Sequence, residues 1–140
     1  MPNTHLKKPC CVCLALCSEI VDDVRSRNKS LFSIFNAVGT QQVPTIQPRL
    51  AILASVTNAA PDTPIRIVVH TPSGQELFSA DGKTLGGGLT SVTDFPLELQ
   101  GVVLPEAGDY AVSLYASDDL IAQRHFSVLV GPPPAPAATA

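Results

Sequence analysis

The sequence predicts an all-β fold, a single antiparallel β-sandwich of about seven to eight strands. Apolar and polar residues alternate most clearly from Leu104 to Val130: Tyr110, Val112, Leu114 and Ala116 fall on one side, Asp109, Ala111, Ser113, Tyr115 and Ser117 on the other. Clusters of Pro, Gly, Asn and Asp interrupt such runs at near-regular intervals along the chain. The composition is 45% apolar but only 5% aromatic, with no Trp, so Val, Leu, Ile and Ala must build the core, as suits sheets.

A chain of 140 residues is long enough for one domain with a real core. Residues 10–131 are assigned to the sandwich, 1–9 to a flexible N-terminus and 132–140 to a disordered Pro/Ala-rich tail. A net charge of -3 leaves no basic footprint for a nucleic-acid partner, and no apolar run is long enough for a membrane span. The start, MPNTHLKKPCCVCLALC, is faintly similar to a lipoprotein signal ending at Cys17. Its apolar run is short, however, and Leu16 stands where a small residue belongs. Four cysteines without the spacing of a secreted scaffold point to a reducing, cytoplasmic setting.

Taken in order, Cys11 to Cys17 reads as a strand, with Val12, Leu14 and Leu16 on one face and Cys11, Cys13, Ala15 and Cys17 on the other. Both faces are apolar enough to be covered. Ser18–Asp23 and Leu31–Phe35, joined by RSRNKS, suggest a hairpin, with a short helix over Ser18–Arg27 as the competing reading. Pro44 and Pro48 place residues 39–48 outside a central strand. Arg49–Val56 is a strand presenting Leu50, Ile52, Ala54 and Val56, and IRIVVHTPSGQELFSA is a hairpin turning at Thr71–Gly74. Asp81–Thr93, with Gly86, Gly87 and Gly88, reads as a mobile loop and a candidate interaction site. Asp94–Leu104 follows as a strand with Gly101 at a bulge, and the acidic pair Asp118-Asp119 turns the chain into the last strand, whose end, SVLV, looks like an open edge.

The residues that suggest chemistry do not assemble into a recognisable site. Cys10, Cys11, Cys13 and Cys17 with His5 offer zinc-type donors, but same-face neighbours on a strand stand roughly 6.5–7 Å apart, too far to share an ion. Gly82, Lys83 and Thr84 resemble the end of a phosphate loop, but Leu77 stands where that motif needs glycine. His70 and His125 have no nucleophile motif beside them, and Asp22, Asp23, Glu106, Asp109, Asp118 and Asp119 lack calcium-loop spacing. No catalytic residue, metal or cofactor is therefore expected, and the protein is read as not an enzyme.

In LPEAGDYAV the leucine, acidic residue, Gly108 and Tyr110 resemble the tyrosine corner of immunoglobulin-like sandwiches. This gives both residues structural roles. From Cys13 to Val130 the order of elements, with Gly74, Gly108, Tyr110 and Asp118-Asp119 at their turns, resembles a family of small bacterial and phage-associated β-sandwich domains of unknown function. The resemblance implies a fold and no known catalytic residues; the cysteine-rich first strand and the glycine loop depart from it. The expected function is a non-enzymatic interaction or structural module with a protein partner or a homo-oligomeric assembly. The alternative is a small-ligand or carbohydrate-binding sandwich closed by the Asp81–Thr93 loop.

Overall fold

Alternation dictates where the strands lie, and the computed structural model, which describes residues 8–86 and 90–131, pairs them into two facing sheets and a covering hairpin. The three-stranded sheet has the order β1 (Cys10–Cys17), β5 (Thr45–Thr57), β8 (Thr93–Leu104). The five-stranded sheet has the order β4 (Ala37–Thr40), β10 (Asp119–Val130), β9 (Gly108–Ala116), β6 (Pro64–His70), β7 (Glu76–Lys83). The hairpin is β2 (Glu19–Asp22) with β3 (Lys29–Phe32). The sandwich stands, but with ten strands among the described residues, and one pair, β4 with β10, is parallel.

The core lies between the sheets. Leu16, Leu50, Ile52 and Val56 face Ile67, Val69, Val112, Leu114 and Val128, all nearly inaccessible to water. Tyr110 and Phe126, opposite one another on β9 and β10, stack at 5.0 Å between ring centroids, and Phe35 meets Phe126 edge-on at 6.2 Å. A second, smaller cluster lies on the outer side of the three-stranded sheet. Cys17, Ala51 and Leu53 are buried there beneath Ile20, and Leu31 packs against them from β3. Hence β1 and β5 are apolar on both faces, and the helix alternative over 18–27 is replaced by a hairpin whose Asp23 Oδ1 accepts from the Arg25 and Ser26 amides.

The face assignment of β1 needs correction. The pairing with β5 slips between Cys11 and Cys13, so Val12 is extruded and more than half exposed, while Cys11 turns to the main core beside Leu14. Pro48 also belongs to a strand. Because β1 reaches only to Ala51, β5 has a neighbour on one side at Pro48, and the missing donor is tolerated there. Opposite it lies Gly101, which forms no bulge: the register with β5 is unbroken on either side of it. Its positive φ of 64° instead turns β8 over. Leu99 and Leu97 pack on the core before it, Val102 and Leu104 after it, and Ile46 and Val103 are turned out as an exposed pair.

Two further expectations change. Asp81, Gly82 and Lys83 belong to β7, not to a loop, because they pair with Arg66, Ile65 and Pro64. The last strand is not an open edge either, since Ser127 and Val128 lie between β9 and β4, and Leu129 and Val130 pair with β4. The turn into β10 is Ser117-Asp118, both at positive φ, with Asp119 already paired to Ala116. The 1–9 and 132–140 termini fall almost wholly outside the described residues. Lys8, the first described residue, receives a hydrogen bond on its carbonyl from Asn58 Nδ2 at 2.9 Å.

Candidate functional site

The expected sites are dispersed by the fold. Gly86 is exposed, and Gly87 and Gly88 lie outside the described residues. The segment before them is tied down, because buried Thr84 donates through Oγ1 to the Ala60 carbonyl at 2.6 Å and accepts from the Thr63 amide at 3.0 Å. Lys83, the motif-like lysine, meets Asp62 at 3.5 Å in solvent. The four thiols are free and divided: Cys10 is exposed, Cys11 faces the main core, Cys13 and Cys17 face the small cluster under the hairpin. Burial pushes the Cys11 and Cys17 thiols above their ordinary pKa. Among the described residues no three His, Cys, Asp or Glu side chains come together as a metal site.

The histidines stand on either side of Ala111 on the outer face of the five-stranded sheet. Near His70 lies an open polar depression of about 270 Å³ bordered by Arg66, Glu76, Tyr115 and Asp118. The acidic groups are used locally. Asp22 pairs with Lys29 at 2.8 Å, and Asp109 accepts from Ser127 Oγ at 2.6 Å. Glu106 accepts from Ser73 Oγ at 2.6 Å, which holds its carboxyl below the usual range. Tyr110 sits at zero exposure; its hydroxyl donates to the Glu106 carbonyl at 2.7 Å and accepts from the Glu106 amide at 3.0 Å, the geometry of a tyrosine corner. Gly108 is at φ 123°, and a Cβ there would press on Pro72 at 3.1 Å.

The structure draws attention instead to the long sides of the sandwich. On one side β1 lies near β10, and Arg124 spans the gap: its guanidinium donates to the Leu14 carbonyl at 3.0 Å, to Phe35 O at 3.5 Å and to Asn36 Oδ1. The Phe35 amide takes the Leu16 carbonyl at 3.0 Å. Outward carbonyls of β1 are thus occupied. A sequence signal existed for this, since Arg124 interrupts the inward row of Ala122, Phe126 and Val128.

On the other side, β7 and β8 run along the sandwich with an apolar cleft of about 200 Å³ between them, lined by Ile65, Ile67, Ala80, Gly82, Phe95 and Leu97. Gly82 admits Phe95: a Cβ at this position would stand 3.2 Å from the Phe95 ring. Both strands are terminal in their sheets. β8 carries Pro96, which has no donor to offer a neighbour. β7 has eight residues and no proline.

The profile of the family of unknown function DUF6941 matches residues 12–129. The chain belongs to this family. No curated protein matches the sequence. Among solved structures, an immunoglobulin-like protein from Pseudomonas aeruginosa aligns over 89% of this chain and 99% of its own at 15% identity and a TM-score of 0.50. The DUF6941 fold is therefore all-β and immunoglobulin-like. The C-terminal domain of wzt aligns over 88% of this chain and 74% of its own at 12% identity and a TM-score of 0.49. The Pseudomonas fluorescens alkylpurine DNA glycosylase AlkC aligns over 66% and 27% at 10% identity and a TM-score of 0.44. Among the described residues of this DUF6941 chain, no helix is long and apolar enough to cross a membrane.

Proposed function

We propose that this protein is a non-enzymatic interaction module of the cytoplasm that accepts an extended segment of a protein partner on the free edge of β7. The observation that carries this reading is the pairing of that edge with the apolar cleft beside it. A guest strand would complete the backbone ladder and turn alternate side chains toward Ile65, Ile67 and Phe95, so hydrogen bonds and apolar burial would be gained together. Four free thiols support a reducing compartment. The dispersal of His70, His125 and the cysteines over separate faces supports a role without catalysis. The ligand-binding alternative has less support, because three residues of its proposed lid, Asp81 to Lys83, are held in β7.

Site-specific photo-crosslinking tests the proposal in cells producing the full chain. A photoreactive residue at Ser79, exposed in the middle of β7, is expected to yield a covalent protein adduct, while one at Arg25 in the β2–β3 turn is not. Equal yields at both positions, or none at Ser79, would remove β7 as the contact edge.

A further inference from the structure

The sequence of β7 is complementary to itself in one register, and we infer that the strand it receives is β7 of a second copy of this chain. This rests on β7 being the contact edge. Four strands, β1, β8, β4 and β7, are terminal in the two facing sheets. β1 has the Leu14 and Leu16 carbonyls engaged by Arg124 and Phe35, β4 is four residues long, and β8 is interrupted by Pro96. Among the described residues of the two facing sheets, β7 is, β1 apart, the long edge without a proline, and its one break in register is the slip opposite Val69 and His70.

Pairing with β6 fixes which way its side chains point. Phe78, Ala80 and Gly82 share the core side with Val69, Ile67 and Ile65. Ser79, Asp81 and Lys83 lie outward, and the slip between Val69 and His70 brings Glu76 outward as well. A two-fold axis perpendicular to the sheet at Ala80 makes an antiparallel pair in which outward residues oppose outward residues. Lys83 then faces Glu76 of the second copy, twice, and Asp81 faces Ser79. On the inner side Phe78 of the second copy faces Gly82 and adds an aromatic edge to the apolar surface that Phe95 already makes beside that glycine.

Neighbouring registers lack this agreement. Moving the axis to Asp81 sets Asp81 against itself. Moving it to Ser79 brings Asp81 opposite Glu76. Like charges directly opposite are unfavourable, so charge selects the alignment about Ala80. The two five-stranded sheets become one ten-stranded sheet across the dimer. With a single ladder as its centre, the contact is at the small end of specific interfaces, so the dimer forms reversibly with concentration.

Sedimentation equilibrium of the full chain, with Lys83→Glu, Glu76→Lys and the double variant, tests this. Both side chains are exposed, so folding is preserved and is checked by circular dichroism. The wild type is expected to shift from 14.7 kDa to twice that mass as concentration rises. Each single variant should dimerise roughly tenfold more weakly, and the double variant should recover wild-type association. A wild type that stays monomeric to about 1 mM would overturn the inference, as would a dimer indifferent to the charge changes or not rescued by the double variant. A monomer whose Ser79 photo-adduct contains a different protein would remove the second copy while leaving β7 as the contact edge. Absence of both dimer and adduct would remove both.

Discussion

Where β1 meets β10, Arg124 reaches the Leu14 carbonyl and Phe35 lies edge-on to Phe126, whereas where β8 meets β7 the bridging contact is Phe95 against a glycine. The two sides cover the same kind of core with different chemistry. The first places a charged donor on strand carbonyls and an aromatic over the gap, so both polar and apolar groups at the margin are satisfied internally. The second leaves an apolar cleft beside a strand whose backbone, among the described residues, has a neighbour on one side only. A sandwich needs each long side finished somehow. Here one is finished by the chain itself, and the other is the side on which the proposed partner strand would be received.

The largest expected effect lies on the closed side. Phe126→Ala removes the ring that Tyr110 stacks on and Phe35 abuts, and should cost about 3–5 kcal/mol in a urea titration; a loss below about 1 kcal/mol would show that this side does not organise the core. Arg124→Met keeps the length of the side chain and removes its donors, leaving the Leu14 and Phe35 carbonyls to water. About 1–3 kcal/mol should be lost. Amide exchange should quicken in β1 and the 33–36 segment while β7 is unchanged, and equal quickening of β7 would erase the distinction between the sides.

A pH titration separates the buried thiols from both sides. Burial holds Cys11 and Cys17 in their protonated forms in the folded state. Their contribution is therefore whole below the ordinary thiol pKa of about 8.5 and is lost as the pH rises through the raised folded values. Tyr110, raised chiefly by burial, adds a loss of the same sign at higher pH. The melting temperature, measured under reducing conditions, should fall above about pH 8.5, and Cys17→Ala should flatten the first part of that fall. The smallest effect belongs to the open side: Pro96→Thr should change monomer stability by less than about 0.5 kcal/mol yet increase association by restoring a donor to β8. No change in association would mean that Pro96 does not guard that edge.

The fold was legible wherever a strand carries apolar residues on one face and polar or small residues on the other. Tyr110, Val112, Leu114 and Ala116 alternate because β9 turns these residues to the core and carries Asp109, Ala111, Ser113 and Tyr115 on the other face, and the hairpin through Thr71–Gly74 is announced by its proline and glycine. Legibility failed where pairing partners, not local pattern, decide. Pro48 is acceptable in β5 only because β1 ends at Ala51, and Asp81 to Lys83 are strand only because β6 is there to receive them. The bulge at Val12 inverts the facing of Cys11 without any turn residue to mark it. Val130 and Leu129 looked like an edge because β4, four residues from a distant part of the chain, covers them without a periodic signature of its own. The open side was illegible for the same reason: Gly82 and Phe95 come from strands with no signal that they would meet.

The covered cysteine offers a clock. Cys17 has no exposure beneath β2 and β3, while Cys10, on the same strand, is open to solvent. With a membrane-permeant alkylating reagent in excess, Cys10 reports the intrinsic chemistry and Cys17 reacts only when the hairpin lifts. The ratio of their rates gives the free energy of that local opening, because the lifted hairpin exposes the Cys17 thiol to solvent as Cys10 is exposed. If the hairpin is a separate cooperative unit, Cys17 will be modified far faster than the whole protein unfolds. If modification keeps pace with global unfolding, the hairpin is part of the sandwich's single cooperative structure.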